Sequence, residues 1–269
     1  MKTSDSDRET QILRQLNTAG SVVVSDLADM FGVSTVTIRK DLDALEQRSM
    51  LKRVRGGAIR AAATDEGTFA HRLTVMAEAK NALGAVAAES IHDGDIISLD
   101  SSTSCYWLAQ HLLNHKNLTV VTYGLHVATF LMDESSAMVV MPGGVLRRPS
   151  GSLVGSLTDP LEGRGRIGKA FFGVKSLSRQ HGLMELALDE AEAKRSLVRS
   201  ADAVYGLLTS DKVGGFALHS FADADRVTGL FTDAPLPEED AAAWSDRVVA
   251  VTTAAEAAAP PVRELGRRA

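Results

Sequence analysis

VSTVTIRKDLDALE, residues 33–46, decides how the first part of this chain is read. Ile38, Leu42 and Leu45 recur at helical spacing and mark one face for burial, while Ser34, Thr35, Thr37, Arg39 and Lys40 load the leading end with hydroxyls and positive charge. Such a stretch is either a solvated amphipathic helix or one whose N-terminal end meets phosphates and base edges. The free N–H groups and dipole of that end favour an anion. Its neighbours weigh on the choice. Upstream, RETQILRQLNTAG puts Ile12, Leu13 and Leu16 on one helical face, with Gly20 as a stop, and Val22 to Val24 form a short β-branched step. SDLADMF then reads as a second helix, capped by Ser25, with Leu27, Met30 and Phe31 pointing one way. Gly32 supplies a tight turn and Ser34 caps the quoted helix. Downstream, Leu51 to Val54 alternates as a strand, Arg55-Gly56-Gly57 reads as a hairpin turn, and Ala58-Ile59 begin the return. Two short helices about a Gly turn, followed by a basic hairpin, make a winged helix-turn-helix. The candidate DNA-binding residues are then Ser34, Thr35, Thr37, Arg39 and Lys40 on the helix and Lys52, Arg53 and Arg55 on the wing. The two threonines are short enough to let the helix approach the major groove, where Arg39 reaches a guanine edge or a phosphate.

Charge is distributed to match. The chain carries −5 in all, yet residues 1–60 hold ten Lys/Arg against eight Asp/Glu, so the acidity lies in the remainder. Between residues 39 and 60 the balance is seven basic to three acidic, a basic patch on an acidic body. At 269 residues the chain is long enough for a small domain and a medium one. The single cysteine, Cys105, excludes an internal disulfide and a multi-thiolate metal site. No apolar run suits a membrane helix and the first residues lack a signal-peptide core, so the expected compartment is the cytoplasm, without membrane contact. No metal-ligand spacing links His92, His111, His115 and His126, and neither a metal nor a cofactor is expected.

After residues 61–78, a linker running into a helix, the chain alternates NALGAVAAESI (helix), DIISLD (strand), TSCYWLAQHLL (helix), LTVVTY (strand), LHVATFLM (helix) and AMVVMPG (strand). Later strands fall near KAFFGV, AVYGLLT, RVTGLFT and RVVAVTT. Buried β-branched runs separated by helices predict an α/β domain with a mostly parallel sheet covered on both faces. Ligands on such sheets bind beyond the carboxyl ends of the strands. Three polar or glycine-rich turns stand there: Asp100-Ser101-Ser102-Thr103-Ser104, Thr122-Tyr123-Gly124, and Gly143-Gly144 after Pro142. Hydroxyls and free N–H groups at helix N-termini suit a phosphorylated small molecule. Each loop alone reads equally as ordinary capping; three at equivalent strand ends favour a site.

The quoted residues resemble the DeoR family of bacterial transcription regulators. The family pattern is met by Leu27-Ala28, Phe31, Val33-Ser34, Thr37-Ile38-Arg39-Lys40-Asp41-Leu42, Leu45-Glu46, Leu51, Arg53 and Gly56-Gly57-Ala58. Arg55 stands where the family often has His, and Ser49 where Gly is usual. Residues 80–233 resemble its sensor domain, related to sugar-phosphate isomerases. There Ser102 replaces a glycine, Tyr123 an asparagine and Thr209 an acid, while Lys169, Lys194 and Lys212 match lysines of the family and are the cations the resemblance offers to a phosphate. The resemblance implies a winged helix-turn-helix over residues 1–60 and an effector-sensing α/β domain over 79–252, joined by the linker over 61–78, while the Ala/Pro/Arg composition of 253–269 predicts a disordered tail. It implies a repressor of sugar or related catabolism genes, assembled as a dimer or tetramer on double-stranded operator DNA and switched by a phosphorylated sugar or similar effector. The alternative is an isomerase or transferase on the same fold, for which Asp100, Glu192, Lys194 and a Cys105 thiol are the available groups.

Overall fold

The apolar stripes of the first sixty residues close on one another. In a computed structural model, which describes residues 5–47, 51–60, 67–155, 166–215 and 217–251, the chain divides into two compact units, Met1–Arg72 and Leu73–Ala269. The first unit runs α1 (Asp5–Ala19), β1 (Ser21–Val23), α2 (Val24–Phe31), α3 (Thr35–Gln47), β2 (Leu51–Val54) and β3 (Gly57–Arg60). Ile12 and Leu16 of α1, Leu27 of α2, and Ile38, Leu42 and Leu45 of α3 are almost wholly buried in one cluster. Burial of each such side chain contributes about 1.5–3 kcal/mol as an upper bound. Gly32 ends α2 in the left-handed conformation, φ 62°, and the Thr37 amide donates to Ser34 Oγ at 3.1 Å, so Ser34 caps α3.

Two local expectations fail. Ser25 does not cap α2: the helix begins one residue earlier, the Val24 amide donates to Gly56 O at 2.9 Å, and Ser25 Oγ donates to Asp26. The wing carbonyl satisfies the amide at the helix start. Met30 is 57% exposed rather than part of the buried face. The wing is a three-stranded antiparallel sheet, β1-β3-β2. Its turn is Arg55–Gly56, with Gly56 at φ 82°, and Gly57 already belongs to β3, opposite both Val54 and Val23. A Cβ at Gly57 would stand 2.1 Å from Val22 O, so only glycine lets β1 join the wing. Ser49 lies outside the described residues.

Beyond α4 (Phe69–Thr74), which runs across the division, the second unit continues α5 (Ala77–Ala88), β4 (Ile96–Leu99), α6 (Thr103–Gln110), β5 (Thr119–Val121), α7 (Leu125–Glu134), β6 (Met138–Val140), β7 (Val145–Arg147) and β8 (Ser152–Val154). It goes on through β9 (Ile167–Gly173), β10 (Ser176–Ser178), β11 (Gly182–Glu185), α8 (Leu188–Ser200), β12 (Ala201–Leu208), β13 (His219–Ala222), β14 (Gly229–Thr232), α9 (Glu238–Trp244) and β15 (Val248–Val251). The main sheet has the order β15-β14-β12-β9-β4-β5-β6, and every neighbouring pair is parallel. Consecutive residues Ala170, Phe171 and Phe172 are all fully buried, which requires cover on both faces. Phe172 belongs to the cluster with Ala191 and Leu197 of α8, whereas Phe171 stacks on Tyr205 with ring centroids 5.2 Å apart. The hairpin β7–β8 and the small antiparallel sheet β10-β11-β13 are additions that the alternating pattern does not announce. The expected tail from residue 253 lies outside the described residues.

Candidate DNA-binding face and effector site

On α3 the three acids are turned to internal work. Arg8 of α1 grips Asp41 with both arms of its guanidinium, Nε–Oδ2 2.6 Å and Nη2–Oδ1 3.0 Å, with both side chains largely buried. Asp43 accepts from Arg53 Nε at 3.0 Å, and Glu46 accepts from the Arg53 amide at 2.6 Å. Arg53 also donates to Gly57 O at 2.9 Å. Its guanidinium therefore clasps the wing to α3 through Nε and Nη1, a positioning role that sequence reasoning did not assign. What remains on the leading face is Ser34, Thr35, Arg39 and Lys40, all exposed, with Val36 at 56%, while Lys52 and Arg55 are exposed on the wing. Thr37 is half-buried, its hydroxyl 3.0 Å from Ser34 Oγ.

In the second unit the parallel register brings the carboxyl ends of β4, β5, β9 and β12 to one edge. The loops there are in contact: a Cβ at Gly124 would meet Ser101 Cα at 2.7 Å, and one at Gly173 would meet Ser102 at 2.4 Å. Ser102 caps α6, accepting from the Cys105 amide at 3.1 Å, with Thr103 and Ser104 buried in the first turn. Asp100, wholly buried, accepts from the Ser102 amide at 2.9 Å. Thr122 Oγ1 accepts from the Gly124 amide at 3.1 Å. Gly144, at φ 157°, lies against Val154 O, where a Cβ would come within 2.7 Å, and Gly143 is exposed beside it.

Lys194, on α8, is the centre of this edge. Its Nζ lies 2.6 Å from Glu185 Oε2, 2.7 Å from Gly173 O and 3.2 Å from Asp100 Oδ2. It also stands 4.8 Å from the centroid of the Phe221 ring. Burial works to discharge the ammonium, but the Glu185 and Asp100 carboxylates outweigh it and raise its pKa. Two carboxylates already neutralise this cation, so it is no free phosphate ligand. Glu190, one turn earlier, accepts from Ser152 Oγ and, at 3.3 Å, from Ser101 Oγ. The β7–β8 hairpin adds Arg147, whose Nη1 is 3.7 Å from Glu190 and donates to Ser150 Oγ at 3.1 Å. Burial raises the Glu190 pKa, and its hydroxyl donors recover only part. Lys212 follows β12 and pairs with Asp211, which also receives the Thr209 hydroxyl.

The remaining expectations divide. Lys169 belongs to the opposite edge, since β9 pairs it with Ile97 near the start of β4 and its Nζ is bound by Asp95 and Ser90 O, 2.7 Å each. A lysine near the start of a parallel strand cannot reach a site at its end. Glu192 faces out to Arg195, and the acid of α8 that enters the site is Glu190. Its i, i+4 spacing to Lys194 was the available signal. Glu185, Arg147, Ser150 and Ser152 carry no sequence signal, because an unannounced hairpin and a small sheet deliver them. Cys105 is no nucleophile: burial and then the Asp100 carboxylate push its thiol well up, and Sγ donates to Phe171 O. Among the described residues no group of His, Cys, Asp and Glu could hold a metal ion, and no helix is long and apolar enough to cross a membrane.

A winged helix-turn-helix with a basic leading face, in one chain with an α/β unit whose strand ends converge on a buried polar cluster, defines a ligand-responsive transcription regulator. Comparison with known proteins gives the particular family. Residues 8–64 match the DeoR-like helix-turn-helix domain and residues 75–234 the DeoR C terminal sensor domain. The chain belongs to the DeoR family. It is 31% identical to the HTH-type transcriptional regulator GolR of Listeria innocua, over 84% of this chain and 90% of that one. It is 28% identical to the glycerol-3-phosphate regulon repressor of Escherichia coli K12, over 86% and 91%. A ribose 5-phosphate isomerase from Methanocaldococcus jannaschii is similar in fold over 51% of this chain and 55% of its own, with TM-score 0.39 and 12% identity. The protein is a DNA-binding transcription regulator and not an isomerase or transferase.

Proposed function

We propose that this regulator is a cytoplasmic repressor of genes for the uptake or breakdown of a phosphorylated sugar or polyol, and that this metabolite releases it from DNA. The observation that carries the DNA half is the pairing of Asp41 with Arg8 and of Asp43 and Glu46 with Arg53, which leaves a basic leading end on α3. Ser34, Thr35, Thr37, Arg39 and Lys40 enter the major groove, Lys52 and Arg55 meet the flanking phosphates, and Arg53 holds the wing in place. Dimers or tetramers present paired helices to a two-fold operator. The effector sits at the carboxyl edge among Asp100–Ser104, Thr122–Gly124, Gly143–Gly144 and Lys212, with its phosphate toward the first turn of α6 and Lys212. The relative named for a glycerol-3-phosphate regulon supports a phosphorylated ligand of that size class. Effector binding switches the protein by favouring one of two arrangements of its units.

Two linked measurements test the proposal. Selection from random DNA yields an enriched, two-fold-related sequence, and a thermal-shift screen with free and phosphorylated sugars and polyols yields a ligand that weakens binding to it. Absence of any enriched sequence defeats the operator half; a ligand that tightens binding makes the protein a co-repressor-type or activating switch instead.

A further inference from the structure

Tyr123 stands where the family resemblance places an asparagine, and its hydroxyl has no hydrogen-bond partner among the described residues. The ring is 1% exposed, in one cluster with Phe172 and Leu177. A buried phenol ordinarily finds a partner, because a stranded hydroxyl costs stability. Phenylalanine would fill the same space without that cost.

A second atom nearby is in a similar state. Asp100 Oδ2 receives no hydrogen bond, although Lys194 Nζ stands 3.2 Å away as its ionic partner. The two side chains leave the sheet side by side. Strands β4 and β5 are parallel with Ser98 opposite Val121, so two residues further on Asp100 and Tyr123 emerge from adjoining strands at the same edge. After burial itself, the Asp100, Glu190 and Glu185 carboxylates raise the phenol pKa, which keeps the hydroxyl protonated as a donor.

A donor and an acceptor left open together complement a group that both accepts and donates. An aliphatic hydroxyl does this: it accepts from the phenol and donates to the carboxylate. An anionic group does not, because the surrounding carboxylates repel it. Resting on the reading of this edge as an effector site, we propose that Tyr123 and Asp100 are its specificity-determining pair and that they take a hydroxyl of a polyol or sugar effector, never its anionic end.

The test uses the full-length protein and Tyr123→Phe. Both are titrated calorimetrically with three- to seven-carbon sugars and polyols, each free and phosphorylated, with inorganic phosphate and with hydroxyl-free dicarboxylates. The expected result is about a tenfold loss in Tyr123→Phe for the tightest hydroxyl-bearing ligand, with binding of inorganic phosphate unchanged. Without ligand, the Tm of the variant stays level or rises by about 2–4 °C. Equal affinity in the two proteins overturns the inference and leaves the sensor reading standing. A fall of several degrees in the unliganded variant assigns the hydroxyl to the fold and also overturns it. If no hydroxyl-bearing compound binds the wild type, the effector reading fails and the inference fails with it.

Discussion

Replacement of Lys194 by methionine tests whether the centre of the sensor edge is a charge cluster or merely a packed corner. Methionine keeps the apolar stem and removes the ammonium that stands 2.6 Å from Glu185, 3.2 Å from Asp100 and 2.7 Å from Gly173 O. It leaves two carboxylates facing each other, with the Asp100 side chain at 0% exposure. Breaking a buried pair by deleting one partner costs about 3–5 kcal/mol, and the contact with Phe221 is lost as well. For a unit of this size that is a fall in Tm of about 6–20 °C. Tryptophan fluorescence reads it selectively: the chain has two tryptophans, Trp107 and Trp244, both in the second unit and both buried. The pH dependence follows from the signs. Burial works to raise the Glu185 pKa, but Lys194 outweighs it and the folded value is lowered. Its contribution is therefore present above the unfolded pKa, and lost as pH falls through the folded one. Lys194 has a raised folded value, so its contribution is complete at neutral pH and lost only as strongly alkaline pH passes that value. The gap between the two proteins is full at pH 7.5 and narrows on acidification through the carboxylate range. A variant within about 1 kcal/mol of wild type at pH 7.5, or a gap that ignores pH, refutes the cluster.

Three further outcomes follow from the same geometry. Arg39→Ala loses about 1–3 kcal/mol of discrimination between the selected operator and a single-base variant if it reads a base; uniform weakening on all DNA, measured by anisotropy, makes it a phosphate contact. Glu190→Gln holds or gains stability at neutral pH, because the folded pKa of Glu190 is raised and ionisation there costs stability as pH rises through that value. Chemical unfolding at pH 4 and pH 7.5 checks this through the shrinking of the difference at the lower pH. Gly57→Ala forces a methyl to 2.1 Å from Val22 O and costs about 1–3 kcal/mol. It lowers the circular-dichroism transition of the first unit while tryptophan fluorescence, which sees only the second, stays unchanged.

Legibility in the sequence followed the range of the interaction. The cap at Ser34, the turn at Gly32 and the basic hairpin are set by residues within a few positions of one another, and the structure keeps them. Ser25 failed because α2 starts at Val24, whose amide is met by Gly56 O from the wing thirty-two residues downstream. Arg53 read only as a phosphate contact, whereas its guanidinium also binds Asp43 and its amide binds Glu46, both on another element. The parallel sheet was legible from alternating runs, and with it the edge where Asp100, Thr122 and Lys212 gather. Which lysines reach that edge was not: Lys169 and Lys194 look alike in sequence, and only strand direction separates them. Glu185, Arg147 and Ser152 depend on a small antiparallel sheet and a hairpin whose three- and four-residue strands are too short to show periodicity.

The division of labour along α3 bears on how such proteins diverge. Asp41 and Glu46 tie α3 to α1 and to the wing, while Thr35, Val36, Arg39 and Lys40 make no such bond among the described residues. Those outer positions can be rewritten without disturbing the scaffold. A duplicated gene could therefore acquire a new target by a handful of substitutions, and an engineer could transplant the outer face of another regulator onto this frame with its wing still anchored.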